Sequence, residues 1–442
     1  MANRVRSRIG SIFTSIQKSP PQPIDTGPGD PVEVATMLRE IGVALMEVNQ
    51  PVQLVQSRLA KIAANFTDEP TRVVALPTVL LVQVGNTGYE IDATTNSSLQ
   101  LDLAGRVDEV ATLAAAGAIT AGDAITAIQR IRNQKPRFGA LATTLGYALA
   151  AVGFGLVINP TWSALTGHLF LGLVVGAIVQ FGRPLPALKP ILPAVSALVA
   201  TLLATWFVAD IANDGLLRMI APALVAMLPG LSLTIGAIEL ASSHIIAGTS
   251  RLVYGLTQLA LLLFGVALGS HLAGQVWQQA PPNQMSSWAL WLGIVAVGLG
   301  LYVYLSAPTG SLIWLLLAIG VALGGQALAG EFVGPAYSGF FGAFLSVPFA
   351  MLATRIKTAP PPIVMLLAAF WSLVPGALSF ESVTQAATGG NIGLASLNAT
   401  GAALVSIAFG TIIGWSVFRT LEWQLSRIEI ADAEESPSIA AR

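Results

Sequence analysis

A long central stretch of this chain is nearly free of charged side chains, and it limits the folds that the chain can adopt. Residues 136–418 hold 12 of the 45 Asp, Glu, Lys and Arg residues, whereas residues 1–135 hold 25 and residues 419–442 hold 8. Because soluble domains carry about 25% charged residues, the central stretch cannot form a fold with a water-exposed surface. The sequence therefore predicts a polytopic α-helical membrane protein with solvated ends.

Apolar segments recur through the central stretch at the length of a membrane span. A helix needs about 20 predominantly apolar residues to cross a hydrocarbon core of about 30 Å. The segments predict about ten transmembrane helices, at 139–157, 164–181, 191–208, 217–240, 248–271, 288–305, 311–329, 335–353, 362–383 and 397–418.

Composition divides the chain into five regions. A basic, disordered segment with a Pro- and Gly-rich linker is expected at residues 1–31, a small α/β cytoplasmic domain at 32–135, and a cytoplasmic tail at 419–442. Between them, residues 137–281 and 282–418 are each expected to hold five transmembrane helices.

The α/β domain is defined by a change between helical and strand patterns. The Val- and Leu-rich run 71–83 predicts one strand bent at Pro77, and a short strand at about 88–93 is expected to pair with it. Thr120, with Asp123 three residues later, is a plausible helix cap. Four helices are expected, at 32–49, 52–65, 105–116 and 121–134.

The distribution of basic residues indicates the orientation. Arg4, Arg6 and Arg8 precede an apolar run that is too short for a signal peptide, so the α/β domain is expected to stay in the cytoplasm. Basic residues then cluster in the predicted inside loops, and Arg218 is the one basic residue of the predicted outside loops. We expect a multi-pass protein of the bacterial cytoplasmic (inner) membrane with both termini in the cytoplasm.

The two membrane regions resemble each other. Leu-Pro-Gly at 228–230 and Val-Pro-Gly at 374–376 lie inside apolar segments at an offset of 146 residues. A polar stretch and an apolar helix with two glycines follow each motif; the glycines are Gly265 and Gly269, and Gly410 and Gly414. Chance similarity between apolar segments is the alternative. With five helices in each half, a true repeat is inverted, which is the architecture of many secondary transporters.

The paired Pro-Gly motifs predict broken helices at a central cavity. Proline removes a backbone hydrogen bond from a helix, and in lipid the freed groups need protein, water or substrate as partners. A simple kink that improves packing is the alternative. The candidate substrate-binding residues are Pro229, Gly230, Ser232 and Thr234 in the first half and Pro375, Gly376 and Ser379 in the second.

Two carboxylates in apolar surroundings are candidates for proton coupling. Glu239 and Glu381 follow the two Pro-Gly motifs, and the repeat offset places them on equivalent helix faces. A carboxylate inside a membrane span usually faces a cavity or a partner. The alternative is that both lie beyond the hydrocarbon, in loops or at helix ends.

Several other kinds of site are absent from the sequence. The chain has no cysteine and only three scattered histidines, so no metal site and no cofactor is predicted. It contains no nucleotide-binding loop and no hydrolase motif, so an ion gradient is the expected energy source. A net charge of −1 gives no indication of a nucleic-acid partner.

The order of these features resembles the threonine/serine exporter (ThrE) family. The resemblance rests on the helical region 104–131, on Lys135-Pro136 before the first membrane helix, and on the Ala-Met-Leu-Pro-Gly-Leu motif at 226–231. It covers roughly residues 32–418. It implies an exporter of L-threonine and L-serine in the cytoplasmic membrane, driven by the proton motive force. The expected partners are a small amino acid, protons and the lipid bilayer, and a homo-oligomer is left open.

Two other functions compete with export. In one, the soluble domain is a hydrolase that the helices anchor, although ten spans exceed what anchorage needs and the domain lacks a recognisable catalytic set. In the other, the domain senses a ligand, with helices unrelated to transport or with a transporter that the domain gates. The leading prediction is a secondary transporter and not an enzyme.

Overall fold

We analysed a computed structural model of the chain. It describes residues 18–24, 29–92, 99–158, 160–185, 187–208, 216–274, 285–373 and 402–420.

The N-terminal part of the described chain is a small α/β unit. Two helices come first, α1 (Pro31–Glu47) and α2 (Val52–Phe66). Three strands follow, β1 (Thr71–Ala75), β2 (Val79–Val84) and β3 (Thr87–Asp92), and they form an antiparallel sheet in the order β1-β2-β3. Helices α3 (Leu101–Ala115) and α4 (Ala121–Arg132) complete the unit.

The predicted single strand at 71–83 is two strands. The backbone N–H of Leu76 donates to the carbonyl of Val79 at 2.8 Å, and the N–H of Val79 donates back to Leu76 at 3.2 Å. Pro77 lies between these residues and has no N–H for a sheet ladder, so the chain turns there instead of bending. The proposed helix cap is present, because the hydroxyl of Thr120 accepts the N–H of Asp123 at 3.1 Å.

Eleven apolar helices follow within the described residues. They are α5 (Ala140–Ile158), α6 (Trp162–Gly182), α7 (Leu192–Leu203), α8 (Leu216–Leu224), α9 (Gly230–Ala241), α10 (Ile245–Ala273), α11 (Trp288–Tyr304), α12 (Leu312–Val333), α13 (Pro335–Ala353), α14 (Pro362–Leu373) and α15 (Ala402–Thr420).

Most of these helices are long enough to cross a membrane. Seven spans qualify within the described residues, one of them being α7 together with its flanking turns over Lys189–Val208. The bent pair α8–α9 makes an eighth if it counts as one span, and α11 and α14 are shorter apolar helices. The predicted class, a polytopic α-helical membrane protein, is confirmed.

Helices α5 and α11 pack closely through glycines. A Cβ built on Gly153 would lie 2.5 Å from the backbone nitrogen of Val297, and one on Gly146 would lie 2.9 Å from that of Tyr304. The later residue of α5, Gly153, thus contacts the earlier residue of α11, Val297, so the two helices are antiparallel. Small residues that allow backbones to approach are typical of helix contacts in membranes.

The helix pairs α7–α10 and α13–α15 also pack through glycines, in each case against backbone carbonyl oxygens. Gly265 of α10 lies against the carbonyl oxygen of Ala194 on α7, and Gly269 lies near that of Leu198. In the second half, Gly410 and Gly414 of α15 lie against the carbonyl oxygens of Phe340 and Phe344 on α13. In both pairs the contacts advance together along the two helices, so α10 runs parallel to α7 and α15 runs parallel to α13.

Candidate functional site

The bent pair α8–α9 is broken at the Leu-Pro-Gly motif. Helix α8 ends at Leu224, one 3₁₀ turn covers Val225–Met227, and α9 begins at Gly230 with its axis turned by 60°. Pro229 is the residue before α9 and has no N–H to continue the ladder. The N–H of Leu228 instead donates to the carbonyl of Val225 at 3.1 Å, which tightens the end of the first half-helix.

A tyrosine from another helix supports this end. Carbonyl groups in the last turn of a helix lack partners within the helix, and in apolar surroundings such groups need another hydrogen-bond donor. The hydroxyl of Tyr147, on α5, donates to the carbonyl of Ala223 at 2.8 Å. Tyr147 is fully buried. The break is therefore stabilised by a specific side chain.

Tyr147 also belongs to an aromatic group that joins the two halves. Its ring meets that of Tyr304 edge-on at 5.0 Å between centroids, and the ring of Trp371 lies 5.9 Å from Tyr304. We call Tyr147, Tyr304 and Trp371 the aromatic cluster. The guanidinium of Arg183, at the end of α6, donates to the hydroxyl of Tyr304 at 2.8 Å. The cluster connects α5 beside the break with α11 and α14 of the second half.

Sequence reasoning did not identify the aromatic cluster. The chain has only 6 tyrosines, and a tyrosine inside a charge-free span needs a partner for its hydroxyl. This need for a hydrogen-bond partner is the sequence signal that could have identified Tyr147. The partner itself is a backbone carbonyl 76 residues away, and a carbonyl leaves no trace in the residue types.

The candidate substrate-binding residues of the first half lie at the break between α8 and α9. Pro229, Gly230 and Thr234 are buried, and Ser232 is half-buried. The second set of candidates, Pro375, Gly376 and Ser379, lies outside the described residues, and so does Glu381.

Glu239 lies at the far end of α9 from the break. Nine residues separate it from Gly230, which corresponds to about 14 Å along the helix axis. Its carboxylate is fully buried and accepts from Nε of Arg251 at 3.2 and 3.1 Å. It also accepts the backbone N–H of Val52, the first residue of α2, at 3.0 Å. The structure thus brings Glu239 to the soluble domain, at the end of a helix.

This arrangement balances the buried charge of Glu239. A carboxylate taken out of water is tolerated when an opposite charge and further hydrogen bonds compensate for its lost hydration. Arg251, itself 9% exposed, supplies the opposite charge, and Val52 supplies a third donor contact. Among the described residues, no group of three or more His, Cys, Asp or Glu side chains is placed to hold a metal ion.

Comparison with known protein families identifies a relationship. A family model with the description "Putative threonine/serine exporter" (ThrE) matches residues 36–273, which is more than half of the chain. The matched range includes nearly all of the α/β unit and helices α5 to α10, with the break between α8 and α9. No curated protein and no solved structure matches.

Proposed function

The chain belongs to the threonine/serine exporter family, and from this premise we propose that it is a secondary active exporter of small amino acids. The substrates proposed are L-threonine and L-serine, and the proposed driving force is the proton motive force. The family is one of transporters. The observation that carries the proposal is the family match across the soluble domain and the first five spans, together with the broken fourth span.

We further propose that the membrane region is an inverted repeat. In the α5–α11 contact, Gly153 lies beside Val297, and Gly300 lies beside Ala150. Adding 147 residues to Gly153 gives Gly300, and adding 147 to Ala150 gives Val297, so the two contacts are equivalent. This is expected when equivalent helices cross at a twofold axis. Because the two helices are antiparallel, such an axis lies in the membrane plane, which is the symmetry of inverted repeats.

The glycines of the fifth helices support the same proposal. Gly265 and Gly410 are separated by 145 residues, and the carbonyls that they approach, those of Ala194 and Phe340, are separated by 146. The third and fifth helices of the two halves thus pack through corresponding backbone atoms. Chance similarity of apolar sequence gives no reason for matched contacts of this kind.

We place the substrate site at the break. The first N–H groups of α9, which begins at Gly230, have no acceptor within the helix, and the positive end of the helix dipole favours a carboxylate there. Gly230, Ser232 and Thr234 would border an amino acid bound in this way, and Pro229 keeps the half-helices apart. Pro375, Gly376 and Ser379 are proposed to do the same in the second half.

The aromatic cluster is proposed to act as a gate beside this site. Its members come from both halves, and Tyr147 also contacts the end of α8 at the break. A movement of one half against the other would separate Tyr147 from Tyr304 and open a path along the break. The hydrogen bond from Arg183 holds Tyr304 in its present orientation.

Proton coupling through Glu239 and Glu381 stays a prediction. Protonation of Glu239 would remove the charge that Arg251 is paired with, so it would have a structural consequence at the soluble domain. We propose that this domain and both termini lie in the cytoplasm and that the protein resides in the bacterial inner membrane.

Purified protein in liposomes tests the proposal. Vesicles loaded with labelled threonine would receive an imposed proton gradient, and the release of label would be followed with and without a protonophore. Release that depends on the gradient and is reduced by excess unlabelled serine is expected. Release that does not depend on the gradient, or no release, would contradict coupled export.

A further inference from the structure

The soluble domain contacts the membrane region at two places. At the first, Glu239 near the end of α9 accepts the N–H of Val52 at 3.0 Å. One turn further along α2, the side chain of Gln56 meets His244 at 3.2 Å. Ala247 of α10 packs into the apolar core of the domain. We call this set of contacts the first junction, and its membrane residues all belong to the first half.

The second junction is formed with the second half. The N–H groups of Leu101 and Asp102, at the start of α3, donate to the carbonyls of Leu305 and Ser306 at 2.8 and 3.1 Å. These carbonyls follow the last residue of α11. Leu101 and Ala104 are fully buried and belong to the apolar core of the membrane region. The domain thus contacts both halves of the membrane region.

Both junctions lie next to parts of the proposed pathway. The first is at the end of α9, the half-helix that begins at the break. The second begins at Leu305, which directly follows Tyr304 of the aromatic cluster. A rigid domain bound at both places therefore fixes the distance between the two halves on its side of the membrane.

We propose that the soluble domain is a reversible clamp across the two halves, and that the first junction opens during transport while the second stays closed. This inference rests on the proposed transport function. In inverted-repeat transporters, access alternates when one half moves against the other. A domain that is fixed to both halves must then release one of them.

The two junctions differ in what is lost when they open. Glu239 and Arg251 both lie in the first half, so their ion pair stays intact when Val52 leaves. Breaking a buried pair is costly because one charge remains unpaired, and opening the first junction avoids that cost. Opening the second junction would expose Leu101 and Ala104 and would leave two carbonyls without their donors.

Glu239 is therefore a positioning residue for the clamp. Its carboxylate holds the start of α2 and is itself held by Arg251, on the next helix of the same half. The donors on Arg251 keep the carboxylate in place while the domain is away. The domain can therefore return to a site that is already formed.

A reversible cross-link across the first junction tests the clamp. The chain has no cysteine, so the double variant Gln56→Cys with His244→Cys provides one defined pair. A short bis-methanethiosulfonate reagent would join the two thiols in liposomes, and dithiothreitol would release them. We expect gradient-driven threonine release to stop on cross-linking and to return on reduction.

The matched control is a cross-link that lies wholly inside the domain. Asn65 and Ala115 are in contact, since Nδ2 of Asn65 donates to the carbonyl of Ala115 at 2.9 Å, and Asn65→Cys with Ala115→Cys joins α2 to α3. This cross-link is expected to leave transport unchanged. Equal transport with either cross-link, or an equal loss with both, would overturn the clamp. Absence of transport by the unsubstituted chain would instead contradict the proposed function.

A second measurement does not depend on transport. Ala247→Cys places a thiol in the first junction, where it is buried against the apolar core of the domain and a membrane-impermeant reagent reaches it only when the junction opens. Gln56→Ala removes the contact with His244 and is expected to raise the labelling rate about fivefold, the effect of one lost hydrogen bond. Gln129→Ala, at an exposed position of α4, is the control. Equal labelling rates in the two variants would contradict an opening first junction.

Discussion

Helix α1 of the soluble domain buries Met37, Leu38 and Ile41 and exposes Glu33, whereas helix α5 of the membrane region is apolar on all sides. On α5, Leu141 is 75% exposed and Phe154 is 1% exposed, although both are large and apolar. In water, hydrophobicity alone distinguishes the inner from the outer face of a helix. In lipid it does not, because the surrounding chains are as apolar as leucine.

The two regions also use glycine and polar groups differently. The core of the domain is packed with large apolar side chains, and its surface carries ion pairs such as that of Arg132 with Glu47. In the membrane region, helices contact each other where glycines lie against backbone atoms and where a few hydroxyl groups, such as that of Tyr147, form hydrogen bonds. Contact in the membrane is therefore specified by residue size and by unmet hydrogen bonds.

The largest expected effect comes from filling the α5–α11 contact. In Gly153→Leu the new side chain meets backbone atoms of α11, which cannot move aside without separating the helices. We expect a loss of more than about 3 kcal/mol, seen as loss of the monodisperse protein in detergent. Gly300→Leu should behave alike, because a Cβ there would meet the backbone of Ala150 on α5.

Gly324→Leu is the control for both glycine variants. Gly324 lies inside α12, and a Cβ there would have nothing within 4 Å. Wild-type behaviour is expected. If Gly153→Leu were also tolerated, close glycine packing would not distinguish the membrane region from the domain.

A matched pair of leucines addresses the comparison directly. Leu38→Ala in the core of the domain is expected to cost about 2–5 kcal/mol, because a cavity remains. Leu141→Ala, at a position that is 75% exposed on α5, is expected to cost little, because the side chain makes few contacts within the protein. Thermal unfolding midpoints of the full chain measure both, and similar shifts would remove the distinction.

Removal of one hydroxyl tests the support of the break. Tyr147→Phe keeps the ring against Tyr304 but leaves the carbonyl of Ala223 without its donor, at a cost of about 1–3 kcal/mol. We expect slower threonine release in liposomes with a smaller change in the amount of folded protein. Tyr254→Phe, at a position that is 58% exposed on α10, is the control. A Tyr147→Phe variant with unaltered release would argue against a role of the break in transport.

The smallest expected effect concerns the surface of the domain. Thr120→Ala removes the acceptor for the N–H of Asp123 at the start of α4 and should cost about 1 kcal/mol. Thermal unfolding of the full chain measures it, and Thr120→Ser, which keeps the hydroxyl, should restore the midpoint. Transport is expected to stay at the wild-type rate, because α4 belongs to neither junction.

Local chemistry made parts of this architecture predictable. The apolar periodicity of α1 and α2, the cap at Thr120 and the break at Pro229 each depend on residues close together in the sequence. The predicted bend at Pro77 is a turn between two strands. Apolar residues on both sides of Pro77 give no sign of the change of direction, so the proline is the one local signal for it.

The contacts that define the site could not be predicted in the same way. Glu239 meets Val52 across 187 residues of sequence, and the group that it binds is a backbone N–H. The aromatic cluster likewise depends on which helices are neighbours. Apolar segments without polar stripes carry little information about neighbours, so residue types alone did not reveal these partners.

The packing of α5 against α11 has a consequence for how the protein is made. Gly153 is synthesised 144 residues before Val297, and a ribosome adds about 5–20 residues per second. The glycine face of α5 therefore waits roughly 7–29 s in the bilayer before its partner exists. During this interval an insertase or another nascent helix can occupy that face. The order of synthesis therefore allows incorrect helix pairing that the folded structure does not reveal.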